Sequence, residues 1–425
     1  LSMNRFNLWK SFLPTSTLIP WTKQANLVQS KIVKANGPYI YTSTQKIVDF
    51  TSGAMVVNLG HNNKYILDSI KEHTKSGISY IPSNMATYQR DKLSDRLLSI
   101  SKMNVGKVLY GNAGADVNEM ACFLSKEYYS YQDKPKNKIL TFSHSFHGGS
   151  TVGASLLSGD ARRVEKEKYY SLPMEPIMEN PLMSDSGESS LQQISDLLTE
   201  DVSAVLIEGS SGSAGCILYP DGYLKKLETM CREKDILVIC DEVMSGFGRT
   251  GEFFAHFKQD IQPDIITCAK GITSGYSQLG AVIMNKKVSD VFEYNPVMCG
   301  LTYSGHILGS TIANSCLDLY LKNDKAIIKN HKGNVLYLEG ERIKNKYDWI
   351  KDYRNNGMLG CFEFSLNEDK LGELSENLML EGIYCMRIRQ NIFTAPPLIT
   401  DDSIIVDTMQ RMDRVFEKMD LNFIF

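Results

Sequence analysis

The chain has 425 residues, a formal net charge of -3 and 43% hydrophobic residues, enough apolar material for one large domain with a smaller one beside it. The near-balanced charge offers nucleic acid or an acidic membrane no strong electrostatic footprint, so neither is expected as a partner. No run of 18 apolar residues occurs and the amino end lacks the apolar core of a secretory signal, so neither a membrane span nor export is expected.

From Lys107 onward short, β-branched apolar runs recur: KVLY at 107–110, KILTF at 138–142, AVLIE at 204–208, ILVIC at 236–240, DIITC at 264–268 and LGAVIM at 279–284. Amphipathic stretches separate several of them, as at 223–234, where Leu224, Leu227 and Cys231 share one helical face. Strands alternating with helices predict an α/β fold with a mainly parallel sheet covered on both faces. Two-sided burial also accounts for strands that are almost continuously apolar. SDSGESS at 184–190 reads as a surface loop. The pattern over 308–347 is long and helical, KDYRNNGMLGCFEFSL then reads as a turn followed by a strand, and 403–419 is amphipathic again. The expectation is a large domain over 61–310, with 1–60 and 311–425 combining into one smaller α+β domain. Nine scattered cysteines form no CxxC pair, and Cys240 and Cys268 sit inside apolar runs. Buried free thiols in a reducing, cytoplasmic compartment are expected, and no metal site, since the seven histidines show no ligand spacing either.

The most informative stretch is ILVICDEVMSGFGRTGEFF. A buried strand ends in Asp241 and Glu242, and ligands of parallel sheets bind at carboxyl ends of strands. A carboxylate held there keeps a pyridine nitrogen protonated, which makes the ring a better electron sink; the same acid also serves as a helix cap or metal ligand. Twenty-nine residues later PDIITCAKG ends in Lys270. Desolvation of that amine favours its neutral, nucleophilic form, whereas a lysine that snorkels to the surface stays an ammonium. GNAGADVNEMACF sets Gly111 and Gly114 before a helix starting near Asp116, a geometry that offers backbone N–H groups to a phosphate without being a dinucleotide or Walker fingerprint. FSHSFHGGS places Phe146 and His147 before two glycines, where the aromatic ring either stacks on a flat cofactor or joins the core. The Thr302 hydroxyl in CGLTYSGH either caps a helix or binds phosphate.

Together these segments resemble class III (omega-) aminotransferases, members of the fold type I pyridoxal-phosphate enzymes. The resemblance extends from IPWTKQ near Pro20, through TSGAMVVNLGHNN at 51–63, to APPLIT at 395–400, and so covers almost the whole chain. Its most specific part is DEVMSGFGRTGEFFAHF followed by PDIITCAKGITSGYSQLGAVIMN. It implies the type I transferase fold, with a seven-stranded-type sheet between helices. It also implies pyridoxal 5'-phosphate as cofactor, with Lys270 forming the Schiff base and moving the proton, and Asp241 pairing with the ring nitrogen. Val243 and Phe146 would flank the ring, and Gly114 and Ala115 would hold the phosphate together with Thr302 from a second subunit. His147 and Glu208 complete the implied cofactor-binding set. A site shared in this way implies a homodimer.

Departures bear on the substrates. Met244 follows DEV where ornithine- and GABA-type relatives carry glutamine, as in the branch resembling omega-amino acid:pyruvate and taurine:pyruvate aminotransferases. IEGSSGSAG has Gly209 in place of a proline and Ser213 near the usual gating glutamate, so that gate is expected to be absent. Met55 replaces an aromatic in the pocket wall, and YTSTQKIVDF lacks the usual Asp-Gly turn of its hairpin. A keto acid acceptor needs a guanidinium for its carboxylate, and YCMRIRQNIFTAPPL offers Arg387, the favoured candidate, and Arg389. The expected activity is ping-pong transfer of an amino group from a terminal-amine donor (an omega-amino acid, diamine, taurine-like compound or amino sugar) to pyruvate or another keto acid. The same motifs serve racemases, aminomutases and decarboxylases on this scaffold. Joint retention of Lys270, Asp241 and the phosphate loop argues against a non-catalytic binding protein.

Overall fold

The computed structural model describes residues 17–20, 31–149, 177–181, 183–323, 327–328 and 332–419. Near the amino end, β1 (Ile32–Asn36), β2 (Tyr39–Thr42) and β3 (Lys46–Asp49) form an antiparallel meander. The central sheet follows with β4 (Lys107–Gly111), β5 (Lys138–Phe142), β6 (Ile177–Met178), β7 (Val202–Glu208), β8 (Leu237–Asp241), β9 (Ile265–Cys268) and β10 (Gly280–Met284). Its seven strands run in the order β4-β10-β9-β8-β7-β5-β6. Strand β10 is antiparallel to both its neighbours, and the other pairs are parallel, so six carboxyl ends open on one edge.

Burial of both faces makes the strands legible. In β7, Ala204 and Leu206 pack with Val117, Ala121 and Leu124 of the helix Gly114–Ser130. Val205 and Ile207 point the other way, onto Leu224, Leu227 and Cys231 of the helix Tyr223–Glu233. Each large aliphatic residue taken out of water in this way contributes about 1.5–3 kcal/mol, which fixes the register of the strand and hence the position of its last residue.

The carboxyl-terminal part contributes β11 (Ile350–Asn356), β12 (Leu359–Phe364), β13 (Ile383–Tyr384), β14 (Arg387–Ile388) and β15 (Asn391–Thr394). Strands β11-β12-β15-β14 form one antiparallel sheet, while β13 pairs in parallel with β3 through Ile383–Val48 and Tyr384–Asp49. Both ends of the chain therefore share a sheet. The expected turn before β12 is instead a full hairpin, with its turn confined to Gly357 and Met358. The polar run Lys351–Arg354 lies on an edge strand, where Lys351 and Arg354 both reach Glu363 across the pair. The long helical stretch divides into the helices Ile307–Lys322 and Lys332–Lys344. The expected loop at 184–190 also holds structure: a 3-10 turn at Met183–Asp185 and the start of the helix Glu188–Leu197, entered through Gly187 at φ 79°.

One buried cation ties these parts together. Arg249, at 0% exposure, donates to the carbonyls of Met358 (3.0 Å) and Pro396 (2.6 Å), to Ser52 Oγ (3.1 Å) and to Asn58 Oδ1 (2.7 Å). Burial lowers its guanidinium to about 10. Among the described residues no disulfide joins the nine cysteines, seven of which are buried and two, Cys299 and Cys385, partly so. Among the described residues no helix is long and apolar enough to cross a membrane.

Candidate active site

The carboxyl edge of the central sheet opens into a cavity of about 400 Å³ lined by Gly114, Ala115, Phe146, His147, Glu208, Asp241, Val243 and Lys270. Asp241 ends β8 and is 4% exposed. Its Oδ2 accepts from Asn118 Nδ2 at 2.7 Å and faces His147 Nδ1 at 2.8 Å, while Oδ1 accepts the Val243 N–H at 2.8 Å. These three contacts fix the plane and orientation of the carboxylate. The far nitrogen of His147 meets Thr141 Oγ1 at 2.8 Å, which fixes the plane of the imidazole.

Lys270 follows β9 at φ 44°, a left-handed conformation that aims its side chain into the cavity-lining set. Gly271 comes next because a Cβ there would lie 2.7 Å from Asn58 Nδ2 and 2.9 Å from Phe247 Cβ. Burial lowers the Lys270 amine from its ordinary value, against the opposing pull of Asp241 and Glu208. Glu208 ends β7, and burial pushes its carboxyl up to about 7 although the hydroxyl of Ser213 donates to Oε1 at 2.5 Å. Glu242 turns away from the cavity: it accepts from the backbone N–H of His256, meets His256 Nδ1 at 2.8 Å and accepts from Ser245, so it anchors the loop after β8.

The helix Gly114–Ser130 begins beside this network. Its first-turn N–H groups have no intrahelical acceptor and carry the positive end of the helix dipole. Asp116 Oδ2 takes the N–H groups of Asn112 and Ala113, each at 3.1 Å, and so shapes the entry to that turn. Gly114 is required by contact, because a Cβ would sit 2.7 Å from Val243 Cγ1.

The class III aminotransferase family model matches residues 22–416. The chain belongs to this family. It is 29% identical over 419 residues to the adenosylmethionine-8-amino-7-oxononanoate aminotransferase of Staphylococcus aureus, covering 90% of each chain. It is also 29% identical over 376 residues to the ornithine aminotransferase of Staphylococcus carnosus, covering 87% of this chain and 90% of that one. The taurine:2-oxoglutarate aminotransferase of Bifidobacterium kashiwanohense, solved in complex with pyridoxal phosphate and glutamate, superposes with a TM-score of 0.88 at 29% identity, covering 95% of this chain and 96% of that one.

Pyridoxal phosphate is the cofactor of this aminotransferase, and the cavity residues fit it. An amine depressed by burial, a multiply bonded carboxylate, and an open helix end that a Cβ at position 114 would crowd are the three features such a molecule requires. Four predicted residues lie outside the cavity lining. Thr302 is exposed, and its carbonyl accepts from the Tyr80 hydroxyl at 3.0 Å. Met55, at φ 55° and 1% exposure, packs in an apolar cluster with Cys216, Leu359 and Phe393, behind the cavity residue Met244. Arg387 donates to Glu368 at 2.5 Å, and Arg389 meets His144 Nδ1 at 2.7 Å, two residues before Phe146. The segment IPWTKQ falls largely outside the described residues. Conversely, Asn118 lines the cavity with no motif to announce it. Its one sequence signal is a polar residue beside Val117 in a helix whose buried positions are mostly apolar.

Proposed function

We propose that this aminotransferase moves an amino group from a terminal-amine donor to a keto acid such as pyruvate, in two half-reactions at one site. The convergence of Lys270, Asp241 and the Gly114–Ala115 helix end on one cavity carries this reading. The cofactor, when bound, supplies an electron sink in its protonated ring. Asp241 would pair with the ring nitrogen, and Val243 and Phe146 would confine the ring. The first-turn amides of Gly114 and Ala115 would hold the phosphate. Lys270, whose amine burial lowers from its ordinary value, would hold the cofactor covalently and would serve as the base for the proton on the amine-bearing carbon of the donor. Glu208 lines the cavity and is held there by Ser213, the residue near the place of the relatives' gating glutamate.

The acceptor carboxylate is assigned to Arg389 ahead of Arg387, because Arg389 shares a contact with the loop that carries Phe146 whereas Arg387 is already held by Glu368. Thr302 is read as reaching the phosphate of a second copy, which makes the working unit a homodimer with shared sites; its exposed position outside its own chain's cavity supports this. The two-domain division with limits near 60 and 310 is part of the same reading, and the sheet that joins β3 to β13 supports a small domain built from both ends. Borohydride reduction of the cofactor-loaded protein tests the core of it. A mass adduct is expected on the peptide containing Lys270, together with conversion of the cofactor to its amine form by a panel of terminal amines. An adduct on another lysine, or no response to any donor, would refute the assignment.

A further inference from the structure

We propose that Asn118 is the positioning residue for the ring-facing acid: its amide locks Asp241 in one orientation and leaves a single open acceptor on that carboxylate, at Oδ1. Each carboxylate oxygen accepts about two hydrogen bonds. Among the described residues, Oδ2 receives Asn118 Nδ2–H at 2.7 Å and faces His147 Nδ1 at 2.8 Å, so it is filled. Oδ1 receives the Val243 N–H alone, at 2.8 Å, and keeps one lone pair.

The amide of Asn118 has no freedom to turn. Its second Nδ2 hydrogen goes to the carbonyl of His147 at 3.0 Å, and its Oδ1 accepts the hydroxyl of Thr267 at 2.5 Å. A flipped amide would set its carbonyl oxygen against the Asp241 carboxylate and strip the His147 carbonyl of that donor. Asn118, Asp241 and Thr267 are 1%, 4% and 0% exposed, so water does not take over these bonds. Four segments thus meet at one side chain: the helix Gly114–Ser130, the loop after β5, the end of β8, and β9.

The inference rests on the proposed pairing of Asp241 with the ring nitrogen, and the experiment separates the two. The variants are Asn118→Leu, Thr267→Val, Asp241→Ala and the Asn118→Leu/Asp241→Ala pair. The measurements are the dissociation constant for pyridoxal phosphate, kcat, and KM for the best donor. Asn118→Leu is expected to weaken cofactor binding about tenfold, as loss of one hydrogen bond to a charged group does. It should lower kcat while leaving the donor KM unchanged, because the donor does not touch Asp241. Thr267→Val keeps the side-chain volume and is expected to act in the same direction by about threefold, so it reports even where Asn118→Leu fails to fold. In the Asp241→Ala background, Asn118→Leu should add nothing. Cofactor affinity unchanged in both Asn118→Leu and Thr267→Val, or full additivity with Asp241→Ala, overturns the role given to Asn118. If Asp241→Ala itself leaves cofactor affinity intact, the ring-nitrogen pairing falls and takes this inference with it.

Discussion

Replacing Glu208 with Gln removes a carboxyl group whose protonation differs between the folded and unfolded chain. Burial raises it from 4.5 to about 7. Between those values the native state binds more protons than the unfolded state, so stability falls as pH rises. The contribution is fully present below pH 4.5 and is lost as pH rises through 7. A gap of about 2.5 units corresponds to roughly 3 kcal/mol once both states are ionised. Glutamine keeps a carbonyl oxygen for the Ser213 hydroxyl, so the variant changes titration with little change in packing. Urea unfolding of the cofactor-free wild type and Glu208→Gln, at pH 5 and pH 8, measures the difference. The variant is expected to gain about 2.5 kcal/mol on the wild type between these two conditions. A gap between the two proteins that is identical at both pH values refutes the claim that burial controls Glu208.

Gly114→Ala brings a Cβ to 2.7 Å from Val243, whose N–H is held by Asp241, so the valine must move into the ring space. Cofactor affinity should fall tenfold or more, about the 1–3 kcal/mol of overpacking, as read by absorbance titration. Gly212→Ala would press its Cβ on Met244 Sδ, on a flexible chain that lines the cavity, and so is expected to reshape the donor space. Donor KM should rise with cofactor affinity unchanged, and Met244→Ala should restore it. Arg249→Met strands four buried acceptors and should lower stability by at least about 3 kcal/mol in urea unfolding.

The central sheet was legible because strands buried on both faces must be largely apolar, and β7 to β10 are, apart from Ser203, Thr267 and the terminal Glu208 and Asp241. Lys270 and Asp241 were legible for the same reason in reverse, as charged residues where such strands end. Strand β11 was hidden because an edge strand tolerates the polar run 351–356 that resembles a turn. The partner of Arg387 could not be read from its own segment, since Glu368 lies on the helix Glu368–Leu380 and the pair forms only when that helix docks. Asn118 escaped notice because its partners sit on β8, β9 and the loop after β5, so its function exists only in three dimensions. The wall role expected for Met55 met a local obstacle: its left-handed backbone directs it into the Cys216–Phe393 cluster.

The bonds of Arg249 also bear on how the protein is made. Two of its four acceptors, the carbonyls of Met358 and Pro396, come from late in the chain, as does β13, which closes onto β3. A ribosome-bound fragment ending before β11 already contains Lys270 and Asp241, yet its buried cation lacks half its partners. Closure of the sheet between β3 and β13 and full satisfaction of this guanidinium therefore both wait for the last quarter of the chain.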